Sequence, residues 1–236
     1  MLSELKQQLR AHASPARARV SASFFKTGEG EYGAGDVFLG VTVPDTRRVV
    51  KQFHQLPLVD IQELINSPLH EERLCGFLIL VHQFERGDAK VRARIFRFYC
   101  ANSKRVNNWD LVDLTAPNIV GEYLFETKDS GALLVRYARS QNLWQRRIAI
   151  LATFAFIRKG RWVPTLNIAR ILLNDPEDLI AKAVGWMLRE VGKRIDQDIE
   201  EEFLKKHYHR MPRTMLRYAI ERFSKRRARM YLDGKI

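Results

Sequence analysis

The residues best placed to do chemistry lie in NNWDLVDLTAP, from Asn107 to Pro117. Asn107 or Asn108 can cap a helix that starts at Trp109. Trp109 and Asp113 then stand at i and i+4, neighbours on one helical face. Asp113 sits between Val112 and Leu114, where a pattern seeking only a core avoids a carboxylate. The two acids invite different jobs. Asp110 falls in the first turn, where the helix dipole favours an anion, and Asp113 has no such local use. A carboxylate beside an electron-rich indole suits a site that meets positive charge. The plainer alternative is a helix carboxylate paired with an arginine.

The elements that must carry these residues are helical. VPDTRRVVKQFHQL, EERLCGFLILVHQF, LWQRRIAILATFAFIRK and DLIAKAVGWMLREVGK all place apolar residues three and four apart. Ser67-Pro68, Asp175-Pro176 and Met211-Pro212 read as helix starts with Pro in the first turn. No stretch alternates like a strand, so the fold class is all-α. Between Gly28 and Gly40 five glycines mark the one long non-helical segment, the 26–40 loop. Its glycine content suits a mobile surface loop.

A register runs through the helices. RLCGF from Arg73, DLVDL from Asp110, RIAIL from Arg147 and KAVGW from Lys182 are separated by 37, 37 and 35 residues. Each period holds one helix pair, which predicts a HEAT-like α-solenoid of stacked antiparallel pairs, a single domain over 1–236. Such a stack presents equivalent helix positions along one concave wall. Asp110, Arg147 and Lys182 share the first position of the blocks, and Leu114, Leu151 and Trp186 the fifth.

Charge and composition narrow the function classes. The chain has 236 residues, 46% of them hydrophobic and 28% charged, enough for a real core. Lys plus Arg is 40 against 27 acids, a formal +13, which favours a polyanionic partner. From Phe203 to Ile236 the net charge is +9, and residues 222–236 read as a basic helix or tail. A concave basic groove is therefore expected. No apolar stretch approaches the ~18 residues of a membrane span. The start lacks the apolar run of a signal peptide, and two cysteines make no disulfide framework, so the expectation is a cytoplasmic monomer.

Other candidates lead nowhere. Cys75 and Cys100 read as small core residues. His207 and His209 lack HExxH or Cys partners, so neither a metal nor a cofactor is expected. Glu200–Glu202 reads as a solvated acidic face. The Gly-rich segment lacks the GxxxxGK[ST] order of a phosphate loop, and Ser3-x-x-Lys6 with Lys26-Thr27-Gly28 lacks a Ser-Asp-Asn partner.

NNWDLVDLTAP, LWQRRIAIL and LIAKAVGWMLRE together resemble the signature segments of the AlkD family of bacterial alkylpurine DNA glycosylases, built from HEAT-like repeats. The likeness runs from about Phe38 through MPRTMLRYAIERF. It implies that Asp113 is the catalytic carboxylate, that Trp109 and Trp186 line the lesion cleft, and that Arg147 faces the DNA backbone. It further implies excision from double-stranded DNA without strand cleavage, the lesion staying largely stacked. Phe24 and Phe25 lie where the family has an aromatic wall residue, and the 26–40 loop, longer than the family's corresponding connection, is either an added DNA-contacting loop or a surface Ω-loop. The implied chemistry suits these residue types. An N3- or N7-alkylated purine is cationic, so its glycosidic bond is already weakened and needs no general acid. A carboxylate can then steady the cationic sugar and position water.

Two other readings compete. A non-catalytic DNA- or RNA-binding solenoid would explain the charge but give Asp113 no role. A protein-interaction solenoid would explain neither.

Overall fold

The structure, a computed structural model, describes residues 1–129 and 131–236. All of its regular elements are helices; among the described residues the nearest thing to a strand is a single backbone bridge between Val37 and Leu69. The chain divides into two compact units, Met1–Thr115 and Ala116–Ile236.

The first unit holds α1 (Leu2–Ala11), α2 (Pro15–Phe24), α3 (Val43–Gln52), α4 (Leu58–Asn66), α5 (His70–Arg86) and α6 (Ala89–Ala101). It ends within α7 (Trp109–Ala116). α5 is its centre. Leu74, Cys75, Phe77, Leu78, Ile79 and Leu80 are buried in succession, so this helix is apolar all round and packs against α3, α4 and α6. Burial pushes the Cys75 thiol far above its ordinary range, leaving it an inert core residue.

The second unit opens on a π-helical turn (Pro117–Gly121) and continues through α8 (Glu122–Glu126), α9 (Ala132–Ala138), α10 (Leu143–Ala152), α11 (Phe154–Arg158) and α12 (Val163–Ile171). α13 (Asp178–Arg194), α14 (Gln197–His207), α15 (Arg213–Ala219) and α16 (Lys225–Leu232) complete it. Here α13 is central, packed against α10, α11, α12, α14 and α15. Its contact with α15 depends on Gly185: a Cβ there would meet the Met215 carbonyl oxygen and lie 2.6 Å from Tyr218 Cβ. The next residue, Trp186, is half-buried.

The four blocks of the register fall on α5, α7, α10 and α13. Their fifth positions diverge. Phe77 and Leu151 are core, whereas Leu114 and Trp186 are half-buried. Two local expectations are corrected. Pro68, Pro176 and Pro212 precede their helices, which begin at His70, Asp178 and Arg213. Proline disfavours helical geometry in the residue before it, so the chain enters these helices extended. Nor is Glu200–Glu202 a solvated face. Glu200 is 2% exposed, wedged against Gly192, and Glu201 pairs with Arg227; only Glu202 is exposed. Glu200 Oε1 has no hydrogen-bond partner, and burial, assisted by Glu201, pushes its carboxyl up to about 8.

Candidate active site

In the first unit the site is built on the start of α7. Asn108 is fully buried, and its Oδ1 accepts the backbone N–H of Trp109, the first residue of the helix, at 2.8 Å. Trp109 and Asp113 follow one turn apart on α7, both half-buried. Asp110 is buried instead, as its different role requires. One oxygen accepts the Leu111 N–H at 2.8 Å, and the other faces His70 Nε2 at 2.8 Å.

His70 starts α5 and is 2% exposed, with Nδ1 3.3 Å from Asp36 Oδ2. Burial alone would drive its proton off. The hydrogen bond and charge of Asp110, backed by Asp36, reverse that and raise its pKa to about 9. Burial likewise opposes ionisation of Asp36, yet its bonds to His70 and Asn108 and the charge of Arg73 hold it below the ordinary carboxylate range. The imidazolium thus bridges two carboxylates, and Arg73 donates to Asp36 Oδ1 at 2.6 Å.

An aromatic wall stands on the same unit. Phe25 lies nearly parallel to Trp109 at 5.1 Å between centroids, and to Phe38 at 5.1 Å. Phe24 meets Trp109 edge-on at 5.7 Å and is 63% exposed. These are stacked and edge-to-face geometries that aromatic quadrupoles favour. The structure therefore places Phe24 and Phe25 against the indole that the sequence singles out.

Arg147 and Trp186 belong to the second unit. Arg147, on α10, is 5% exposed, and its guanidinium donates to the Leu179 carbonyl at 2.5 Å in the first turn of α13. It is thus an inward-held arginine and not a free surface cation. Trp186 donates its indole N–H to Glu190 Oε1 at 3.3 Å and tilts toward Phe154, 6.3 Å away. Burial works against the Glu190 charge, but the Arg194 bond at 2.7 Å keeps its carboxyl below the ordinary range. Arg194 and Arg158 also sit over the Phe154 ring, at 5.1 and 5.3 Å.

His70, Asp36 and Arg73 are the residues that sequence reasoning passed over. The available signal was His70-Glu71-Glu72-Arg73, four charged or titratable residues directly before the apolar run of α5. All four are buried. Among the described residues no helix is long and apolar enough to cross a membrane.

The family model for DNA alkylation repair enzymes matches residues 5–223 of the chain. No curated protein matches it in sequence. A solved structure, a predicted DNA alkylation repair enzyme from Enterococcus faecalis, is similar with a TM-score of 0.70 over 91% of this chain and 98% of that one. Its sequence identity is 17%, so this likeness speaks for the fold alone.

Proposed function

Since the chain belongs to the DNA alkylation repair enzyme family, we propose that it is a monofunctional DNA N-glycosylase for cationic N3- and N7-alkylated purines in duplex DNA. The observation that carries this reading is the Trp109–Asp113 pair, one turn apart and half-buried on α7. In this reaction the electrons of the glycosidic bond pass to the purine and neutralise its charge. The oxygen of water bonds to C1′, and its proton leaves to Asp113 or to solvent. Asp113 stabilises the cationic sugar and orients the water. To each of the indoles of Trp109 and Trp186, taken separately, we assign a preference for a cationic group over a neutral one, worth about 0.5–2 kcal/mol. To Arg147 we assign a backbone phosphate contact.

The test is release of free 7-methylguanine or 3-methyladenine from methylated duplex DNA, followed by chromatography in the presence of a chelator. Release leaving abasic sites and intact strands is the expected outcome. Binding of the methylated duplex with no base released would leave a DNA-gripping protein without this chemistry.

The grip itself draws on the basic C-terminal segment. Arg227 is tied to Glu201, whereas Arg222, Lys225 and Arg226 are exposed around the start of α16. Changing those three to Gln should weaken binding to undamaged duplex. It should also flatten the dependence of log affinity on log salt by about 2–3, near 0.9 for each phosphate no longer neutralised. An unchanged slope in fluorescence-anisotropy titrations would remove α16 from the DNA interface.

A further inference from the structure

We propose that Asp36 and His70 are positioning residues for the Trp109–Asp113 turn, so that the end of the glycine-rich loop is a working part of the site. The catalytic consequence rests on the glycosylase reading; the positioning itself does not.

The loop end is stitched to the start of α5. The His70 N–H donates to the Val37 carbonyl at 2.8 Å, and Val37 N–H to the Pro68 carbonyl at 3.4 Å. Glu71 accepts the backbone N–H groups of Leu39, Gly40 and Val41 at 2.8–3.2 Å. Arg73 bonds the Ser67 and Pro68 carbonyls, both at 3.1 Å, and Asp36. Asp36 is thereby fixed in space.

From there it reaches α7 by two routes. Its Oδ2 accepts from Asn108 Nδ2 at 3.1 Å, and Asn108 Oδ1 accepts the Trp109 backbone N–H at 2.8 Å. The same oxygen faces His70, whose other nitrogen holds Asp110 in the first turn of α7. Phe25, at the opposite stem of the loop, stacks on Trp109 and approaches His70 at 5.1 Å. A loop serving only as surface would not need a buried charge network spanning 34 to 72 residues of sequence. Buried charges are costly unless paired, and here Asp36, His70 and Asp110 each bond two or more groups, with Arg73 Nε the one buried polar atom of the four side chains left without a partner.

The device has a pH signature. The charged groups facing His70 are Asp36 from the loop, Asp110 from α7 and Arg73 from its own helix. Protonated, the ring can donate to both carboxylates. Neutral, it can donate to only one, so one of the two links opens. Because the folded pKa is raised, the full contribution is present below about 6.5 and is lost as pH rises through about 9.

The experiment follows the His70 ring and the Trp109 indole N–H by NMR from pH 6 to 10 in the full chain. Both should move with one midpoint near 9, and Asp36→Asn should lower that midpoint by about one unit or more. In the same variant, single-turnover excision should fall about tenfold, with its alkaline limb displaced toward neutral pH. A Trp109 signal that ignores the His70 titration in the wild type overturns the proposal, even if the variant fails to fold. So does a folded Asp36→Asn protein with an unaltered profile. Should the wild type release no base, the glycosylase reading fails while the NMR arm still decides the positioning.

Discussion

Asp113→Asn is expected to lower the single-turnover rate of 7-methylguanine release by about 10²–10³-fold while leaving duplex binding nearly intact. Asn keeps the size of the side chain and one acceptor oxygen but removes the negative charge. In the proposed reaction the charge is what matters: as the purine leaves, positive character grows on the sugar, and a preorganised carboxylate interacts with it far more strongly than an amide. Removing one such interaction typically costs about 3–4 kcal/mol in the transition state. The ground state contains a cationic base but a neutral sugar, so binding should change little. The check is a rate comparison at saturating protein, with thermal melts to confirm the fold. Equal rates would exclude Asp113 from the chemistry and return it to an ordinary ion pair.

The second large effect concerns stability. Glu200→Gln is expected to make the protein more stable at alkaline pH, by on the order of 2–4 kcal/mol, and to alter it little near pH 4. The sign follows from the raised carboxyl. Below about 4.5 it is protonated whether the chain is folded or not. Between about 4.5 and 8 the unfolded chain ionises while the folded one holds its proton, so stability declines as pH rises. Above 8 the folded protein carries a buried carboxylate whose Oε1 has no partner, beside Glu201. Gln fits against Gly192 with no charge to desolvate. Urea unfolding of both proteins at pH 5 and pH 9 measures this directly. A difference that stays constant between the two would show that Glu200 ionises freely in the fold.

These cases mark where the sequence was legible. Helices were readable because their apolar spacing is local, and the blocks at Arg73, Asp110, Arg147 and Lys182 all lie on helices. Trp109 and Asp113 stood out because a carboxylate interrupts an apolar face. Asp36 and His70 did not stand out, since one lies in a segment without periodicity and the other opens a helix with charges that look solvated. What pairs them is tertiary, across 34 residues. Glu200 was misread for a related reason: three consecutive acids predict a wet surface, but helical phase turns the first inward and leaves the third exposed. Arg147 was readable as a basic residue on a helix, while its inward setting against Leu179 was not.

The glycine-rich segment is pinned at both stems. Phe25 is held by its ring stack, the Gly33 N–H bonds the Lys26 carbonyl at 3.0 Å, and Asp36 through Val41 are sewn to α5. Between the stems, Tyr32 still reaches the aromatic wall, its hydroxyl donating to the Phe24 carbonyl at 3.4 Å, whereas Glu31 bonds back to the Gly28 N–H at 2.9 Å. Residues 28–31 are therefore a natural graft point, where new peptide can be spliced in or trimmed away while the stack of Phe25 on Trp109 stays put.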